Sequence, residues 1–324
     1  MAGKPKSVNG LMKHLRDKHG IAVSGSSQKR KLRNIGYFHG YKGYRFNRSP
    51  ANQIAYTDFN EILVMNEFDM AIKGLFYPQI MFIETALKNY ALEIILGQVG
   101  TDSFNDVFAN VLTDYKSHAS GSRSYQEAFK KRLNLRNRIY STITRDYSKK
   151  RVIQHYYDRD RSVPIWAIFE VISLGDFGTF FSCLNSYTKL SVSASLNLDN
   201  AFNTTGSLTE DVIFALKDLR NSIAHNDMIF DTRFKHANIP GALINCLQHE
   251  TGIRSVNFMT IVDYLILISY ILKKLQVPKL EIRKLINNFE TVSENLRRKI
   301  PFAIYSGIMH TDTRSKISML KNYI

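Results

Sequence analysis

Apolar residues recur along most of this chain at helical spacing. In residues 58–76 they include Ile62, Met65 and Phe68, three apart, which is the repeat of one face of an α-helix. Pro78 is expected to kink or restart that helix. Alternating apolar and polar residues, typical of strands, persist for only a few positions anywhere. The pattern therefore predicts an all-α protein.

Capping residues and glycines predict where individual helices begin and end. Ser7 can cap a first short helix that Gly20 ends. A second short basic helix is expected to start at Gly25 and end near Arg33. Further along, the sequence 207–210, Ser-Leu-Thr-Glu, fits a capping box and predicts the start of another helix.

Glycine, proline and polar residues separate the remaining segments. Three glycines in residues 36–44 predict a loop or a short extended ribbon. A long basic helix is expected over 123–147. Pro164 should open a helix from Ile165 to Leu174, and the polar residues 191–205 are expected to form a loop.

The helix predicted from Ser207 carries a buried stripe at Val212, Leu216, Leu219 and Ile223. Its last residues read Arg220-Asn221-Ser222-Ile223-Ala224-His225. Five residues turn an α-helix about 140° past one full turn, so Arg220 and His225 should not share a face of a regular helix. The turn-forming pair Asn226-Asp227 predicts that the helix ends near His225.

An arginine, an amide and a histidine this close together are suited to cutting RNA without a metal. Arginine binds phosphate, and histidine titrates near neutral pH as an acid or a base. A second Arg–His pair, Arg33 and His39, has the same kind of spacing. Because it contains Gly36 and lacks a helical frame, we interpret it as an RNA-binding or packing segment. The alternative for Arg220 and His225 is that they only cap or pair within the fold.

The composition limits the class of protein. The chain has 324 residues, 44% of them apolar, enough for one large domain or two smaller ones. We divide it into a basic N-terminal part, 1–50, and a helical domain, 51–324. The two cysteines and the absence of paired Cys or His spacing predict no disulfide framework, no metal and no cofactor. No apolar leader is present, and the apolar stretch 259–275 is short for a membrane span, so a cytoplasmic protein is expected.

Positive charge is concentrated in two blocks. The net charge is +16; residues 1–48 hold twelve Lys or Arg against Asp17, and residues 123–161 hold twelve against four acids. Such blocks, interleaved with aromatic residues, are typical of proteins that bind RNA. The alternatives are a solvated charged face with core aromatic residues, or an anionic membrane surface. The residues expected to bind RNA are Lys29, Arg30, Lys31, Arg33, Tyr37, His39, Tyr41, Lys42, Arg45, Arg132, Arg136 and Arg138.

Four ordered blocks resemble the Abi family of bacterial abortive-infection proteins, the AbiD/AbiF-like group. The blocks are Lys4-Pro5, the segment 32–41 (LRNIGYFHGY), the segment 155–175 with His-Tyr-Tyr and PIWAIFEVISLG, and the segment 219–225 (LRNSIAH). The chain departs from the family pattern at two positions. Asn226 stands where a second histidine is frequent, and His39 stands where arginine is usual.

This resemblance implies an all-α, multi-helical HEPN-like bundle with a ribonuclease motif, in which Arg220, Asn221 and His225 are the catalytic residues. It also implies a metal-independent endoribonuclease of an abortive-infection or toxin–antitoxin system, linked to a small non-coding RNA. We expect a homodimer in which two copies of the motif share one cleft. The alternatives are a small-RNA-binding protein that does not cut, or an adaptor built on the 259–275 helix. Glu84 and Glu170 are left outside the catalytic set.

Overall fold

The computed structural model describes residues 5–198 and 201–324, so Lys4 of the first resembling block lies outside the described residues. Within these ranges the chain forms fifteen α-helices and no β-strand, and about 70% of it is helical. The predicted all-α, multi-helical bundle is thereby confirmed. Of the described helices, none is both long enough and apolar enough to cross a membrane.

The helices follow one another along the chain with short connections, and two short turns of other helical types lie between them. A π-helical turn spans Phe38–Lys42, and a 3₁₀ turn spans Asp114–Ser117. The α-helices are α1 (Val8–His19), α2 (Gly25–Tyr37), α3 (Phe59–Val99), α4 (Phe104–Asn110), α5 (Arg123–Asp146), α6 (Arg151–Tyr157), α7 (Ile165–Val171), α8 (Leu174–Cys183), α9 (Ser186–Ser195), α10 (Ser207–Ala224), α11 (Gly241–Thr251), α12 (Ile261–Lys274), α13 (Lys279–Lys299), α14 (Phe302–Met309) and α15 (Thr313–Tyr323).

Helix α3 is the central element of the bundle. It is 41 residues long and packs against α9, α10, α12 and α13. The helix begins with a capping box at Asp58 and runs through Pro78 without restarting. Phe76 and Ile80 on either side of the proline are fully buried. Their packing offsets the backbone hydrogen bond that the proline removes. The apolar helix α12 also packs against α3 and is buried along most of its length, as expected of a core helix.

The N-terminal helices are partly as predicted. The Ser7 hydroxyl accepts a hydrogen bond from the Gly10 N–H, and Gly20 ends α1 in the left-handed conformation. The predicted loop over 36–44 is wrong. Helix α2 continues to Tyr37 with one non-helical residue, Gly36, and the π-helical turn follows directly. The aromatic side chains of this segment explain the compact path, because Tyr44 is fully buried and makes tertiary contacts.

Two further boundaries differ from the sequence prediction. The helix predicted over 165–174 ends at Val171, and Ser173 caps the start of α8 by accepting from the Asp176 N–H. The loop predicted over 191–205 is wrong in its first part, because α9 extends to Ser195. Polar composition misled the prediction there: α9 buries Val192.

The start of α10 also differs, because the predicted capping box is not formed. The residue that precedes the helix is Gly206, in the left-handed conformation with φ 77°. The Leu208 N–H is instead satisfied by the side-chain oxygen of buried Asn203, at 2.9 Å. A Cβ atom at Gly206 would lie 2.8 Å from the Lys189 carbonyl carbon and 3.0 Å from the Leu190 nitrogen. Only glycine fits this contact between α9 and α10.

We predict that Gly206→Ala destabilises the protein more than Gly252→Ala does. Both glycines have left-handed backbone, and alanine there costs about 1–2 kcal/mol. At Gly206 the added methyl also meets backbone atoms, which adds about 1–3 kcal/mol of overpacking, whereas the space around Gly252 is open. Urea unfolding of both variants measures the difference. Equal losses of unfolding free energy would contradict the close approach.

Candidate functional site

The Arg–His motif lies at the C-terminal end of α10. The helix ends at Ala224, and the N–H of His225 donates to the carbonyl oxygen of Asn221 at 2.9 Å. Asn226 then takes a left-handed conformation with φ 57° and turns the chain away. The prediction that the helix ends at this point is confirmed. The His225 side chain is exposed, so it can reach a substrate in solvent.

Arg220 is held against α3 by a buried carboxylate. Its Nε lies 3.6 Å from Oε2 of Glu84, and 27% of its side chain is exposed. Nη1 donates to the Asn221 side-chain oxygen at 3.3 Å, while Nε has no hydrogen-bond partner among the described residues. The guanidinium is therefore oriented by charge and by the Asn221 oxygen, and the exposed part of the side chain can contact a phosphate.

Glu84, which the sequence left outside the catalytic set, is the carboxylate that contacts Arg220 from α3. Its other carboxylate oxygen accepts from Lys88 at 2.9 Å, and Lys88 also donates to the Ile172 carbonyl. This network holds the carboxylate in a buried position, with only 7% of the Glu84 side chain exposed. The sequence feature that could have identified Glu84 is its place as an acid within the apolar stripe at Ile80 and Leu87. A buried carboxylate requires a cationic partner.

The two motif side chains point to different surroundings within one chain. Arg220 lies toward α3, and His225 follows the last turn of α10 at the surface. No hydrogen bond or ion pair joins these two side chains in the described part of the chain. Arg220 and His225 therefore lie on different sides of the end of α10, in line with the angular offset expected from helix geometry.

A buried carboxylate on α3 holds the segment that follows the motif. Asp69 accepts hydrogen bonds from the N–H groups of Ile229 and Phe230, at 2.8 and 2.9 Å. It also forms a 2.7 Å ion pair with Lys73, whose ammonium donates to the Asn226 side-chain oxygen at 2.9 Å. Burial raises the pKa of Asp69, and Lys73 and the two N–H groups oppose this rise. The pair fixes the path of the chain directly after His225.

The N-terminal π-helical turn packs on the same segment. The Tyr44 hydroxyl donates to Asp69 at 3.2 Å, and a methyl group at Gly43 would lie 2.4 Å from the sulfur of Met228. His39 belongs to this turn, and its Nδ1 is buried without a hydrogen-bond partner in the described residues. Burial and the charge of Lys73 lower the pKa of His39, while Asp69 and Asp227 oppose this. The histidine of the second Arg–His pair thus lies near the end of the first.

The residues expected to bind RNA differ widely in accessibility. Arg30, Lys31, Arg33, Lys42, Arg136 and Arg138 are exposed, and Lys29, Tyr37, His39 and Arg45 are partly buried. Tyr41 and Arg132 are buried, with 2% and 8% exposure. Arg132 lies 3.7 Å above the Phe108 ring and donates to the Phe108 carbonyl at 2.6 Å. Tyr41 packs on His19 with ring centroids 4.5 Å apart. We therefore leave Tyr41 and Arg132 out of the proposed RNA surface.

Aromatic rings and cations alternate on the N-terminal helices. The rings of His14 and Tyr37 are 6.0 Å apart, and those of His14 and His19 are 5.0 Å apart. The Lys42 ammonium lies 5.7 Å from the Tyr37 ring centroid. Rings beside ammonium groups can stack on bases and contact phosphates together. Tyr37 and Lys42 are one such pair in the N-terminal block.

Comparison with known proteins gives one match. A family model described as Abi-like protein matches residues 30–231 of the chain. No curated protein and no solved structure matches it. The matched range includes α3 with Asp69 and Glu84, and α10 with the Arg–His motif.

We predict that Asp69→Ala loosens the segment after His225, in addition to a general loss of stability. Removing one partner of a buried ion pair costs about 3–5 kcal/mol, because the Lys73 ammonium stays buried without its carboxylate. The matched control is Asp263→Ala, which breaks the equally buried pair with Lys316. Hydrogen exchange at residues 226–230 should accelerate selectively in Asp69→Ala. The same acceleration in both variants would contradict a local role for Asp69.

We predict that His39 makes the protein less stable in weak acid. The folded pKa of His39 lies below the ordinary value of 6.5, so the unfolded chain binds the proton more readily. Stability is therefore present above about pH 6.5 and is lost as the pH falls below it. His39→Gln should reduce the fall in unfolding free energy between about pH 8 and about pH 5. An unchanged pH dependence in denaturant titrations would contradict this prediction.

Proposed function

This chain belongs to the Abi-like protein family, and we propose that it is a metal-independent endoribonuclease of an abortive-infection or toxin–antitoxin system. Family membership indicates the abortive-infection role. The observation that carries the nuclease proposal is the state of Arg220. Its guanidinium is held by buried Glu84, 27% of its side chain is exposed, and it lies five residues before the exposed His225.

The proposed reaction uses the RNA as its own nucleophile. The 2′-hydroxyl attacks the adjacent phosphorus while the bond from phosphorus to the 5′-oxygen breaks, leaving a 2′,3′-cyclic phosphate and a 5′-hydroxyl. His225 takes the proton from the 2′-hydroxyl or gives one to the leaving 5′-oxygen. Arg220 stabilises the negative charge that builds on the phosphoryl oxygens. Asn221 accepts from the guanidinium and so orients it.

A complete cleavage cycle needs a proton acceptor and a proton donor. One chain presents one motif histidine, so we propose a two-fold homodimer in which His225 from each copy serves one cleft. The separate orientations of Arg220 and His225 within one chain support this arrangement. His39 is the alternative second imidazole within the same chain, near Asp227 and Lys73.

We predict that Arg220→Ala and His225→Ala each lower the rate of RNA cleavage in EDTA by about 10²–10³-fold. Gel analysis of a labelled single-stranded RNA, with end-group assignment of the products, measures both rate and chemistry. Arg283→Ala and His118→Ala are matched controls, because both residues are exposed and lie outside α10. Equal cleavage by wild type, the Arg220 variant and the His225 variant would sink this site.

We predict that adding an excess of His225→Ala protein to wild type, with RNA in excess, separates the dimer from the single-chain arrangement. If each cleft needs His225 from both copies, mixed dimers hold one motif imidazole and cleave slowly, so the added variant should lower the wild-type rate. A His39→Gln variant should then keep near wild-type activity. An unchanged wild-type rate, together with loss of activity in His39→Gln, would favour a site built from one chain.

The second candidate function is RNA binding without cleavage. The observation in its favour is the exposed basic surface formed by Arg30, Lys31, Arg33 and Lys42. The log of the affinity for RNA should then fall steeply with the log of salt concentration. RNA binding by the wild type without cleavage, and unchanged binding by His225→Ala, would favour this second function.

A further inference from the structure

A second basic surface lies further along the segment that follows the motif. Arg48 and residues 232, 233 and 235–238 line a cavity of about 430 Å³. Three cationic side chains, those of Arg48, Arg233 and Lys235, belong to this lining, and His236 joins them. None of the described residues that line the cavity is acidic. The cavity is therefore a concave basic surface outside the Arg–His motif.

One of these three cations is neutralised, and the other two are not. Arg233 contacts both carboxylate oxygens of buried Asp231, each at 2.8 Å. In contrast, Arg48 Nη1 donates to the Met259 carbonyl at 3.3 Å, and Lys235 Nζ donates to the Phe258 carbonyl at 2.7 Å. Both acceptors are neutral, so two positive charges face the same space.

The environment of Lys235 shows the same imbalance. Burial and the charge of Arg48 lower the pKa of Lys235. The nearby acid that opposes this is Asp263, and its carboxylate is already paired with Lys316 at 2.9 Å. His310 also has its pKa lowered by burial and by Arg48. A bound anion would relieve the repulsion among these groups.

The backbone of the cavity is held in an unfavourable conformation. Arg48 has φ 60° and Thr232 has φ 58°, a region that is uncommon for non-glycine residues and especially for β-branched ones. Hydrogen bonds fix both: the Arg48 N–H donates to Asp231 at 2.7 Å, and the Thr232 hydroxyl donates to the Phe258 carbonyl at 3.1 Å. Residues held this way cluster at ligand-binding sites. The strained backbone is independent of the charge argument and points to the same cavity.

The cavity lies on the same side of α10 as the motif histidine. The His236 N–H donates to the Asp218 carboxylate at 3.2 Å. Asp218, Ser222 and His225 are spaced four and three residues apart, so they follow one face of the helix. Seven residues separate Asp218 from His225, which is about 10 Å along the helix axis. Asp218 and Ser222 are themselves buried, so this face sets the separation of the cavity from His225 and is not itself a surface for the strand.

We propose that the cavity is a phosphate-binding subsite, in which Arg48 and Lys235 hold a phosphodiester of the RNA strand near the one cut at the motif. This inference rests on the proposed function for the position of the strand. Arg233, held by buried Asp231 behind it, forms one side of the cavity, and the strained backbone at Arg48 and Thr232 fixes the positions of the lining residues. The same phosphate chemistry is offered by a free mononucleotide, which is the competing source.

The test measures binding without cleavage. A single-stranded RNA decamer with 2′-O-methyl groups lacks the nucleophile, and its binding is followed by fluorescence anisotropy. The test variant is Arg48→Asn with Lys235→Gln, since asparagine tolerates left-handed backbone and glutamine can still donate to the Phe258 carbonyl. The control is Arg283→Gln with Lys284→Gln, two exposed residues of α13.

We expect the test variant to bind the decamer about tenfold or more weakly than the control variant, with a salt slope shallower by about one. Equal binding by the test and control variants would overturn the subsite. Arg48→Asn alone, with a smaller loss in the same direction, keeps the test valid should the double variant fold poorly. If the double variant binds the decamer more weakly than the control while Arg48→Asn binds it as tightly as wild type, the effect belongs to Lys235 alone. That result would overturn the shared subsite.

Two further measurements separate the sources of phosphate and the two proposals. The first is a titration with 5′-AMP. If 5′-AMP binds wild type but not the test variant, and decamer binding is the same in both, the strand subsite would be overturned in favour of a mononucleotide pocket. The second is RNA cleavage by wild type. If the test variant binds the decamer more weakly but wild type does not cleave RNA, the subsite is supported and the nuclease proposal fails. Cleavage by wild type with unweakened decamer binding in the test variant would give the reverse result.

Discussion

The buried ion pair of Asp69 and Lys73 is the constraint on which the site depends. A carboxylate in the interior needs full compensation, and Asp69 obtains it from an ammonium group, two backbone N–H groups and the Tyr44 hydroxyl. These partners come from three separate parts of the chain. One buried charge thereby fixes α3, the N-terminal π-helical turn and the segment after α10 relative to one another, and the exposed His225 sits at their junction.

Two buried carboxylates of α3, Asp69 and Glu84, contact different parts of the candidate site. Asp69 fixes the backbone after the motif, and Glu84, four turns further along the same helix, orients the Arg220 side chain. Both use a lysine one turn later to balance their charge, Lys73 and Lys88. The motif thus packs against a long helix through these two pairs, while His225 and part of Arg220 stay exposed. Side chains held by buried neighbours in this way keep their geometry without a bound ligand.

Sequence reasoning succeeded where the signal was local. The ends of α1, the extent of α5 and the end of α10 at His225 follow from caps, glycines and turn-forming residues close by. It failed where distant contacts decide. Asn203 caps Leu208 from five residues away, and buried Tyr44 draws the glycine-rich segment into a compact turn. Asp69 and Lys73, four residues apart in an apolar stripe, could have been read as a buried pair, but nothing in the sequence names residues 229 and 230 as their partners.

The two positions where the chain departs from the resembling family pattern, His39 and Asn226, are both tied to Lys73. The ammonium donates to the Asn226 oxygen and acts on the His39 ring through its charge. Replacing Asn226 by histidine alone would take away an oxygen acceptor and set another basic ring against the same cation. Replacing His39 by arginine alone would add a permanent charge there. The identities of these residues are thus coupled through one lysine, and evolutionary exchange at either position is expected to require adjustment at the other.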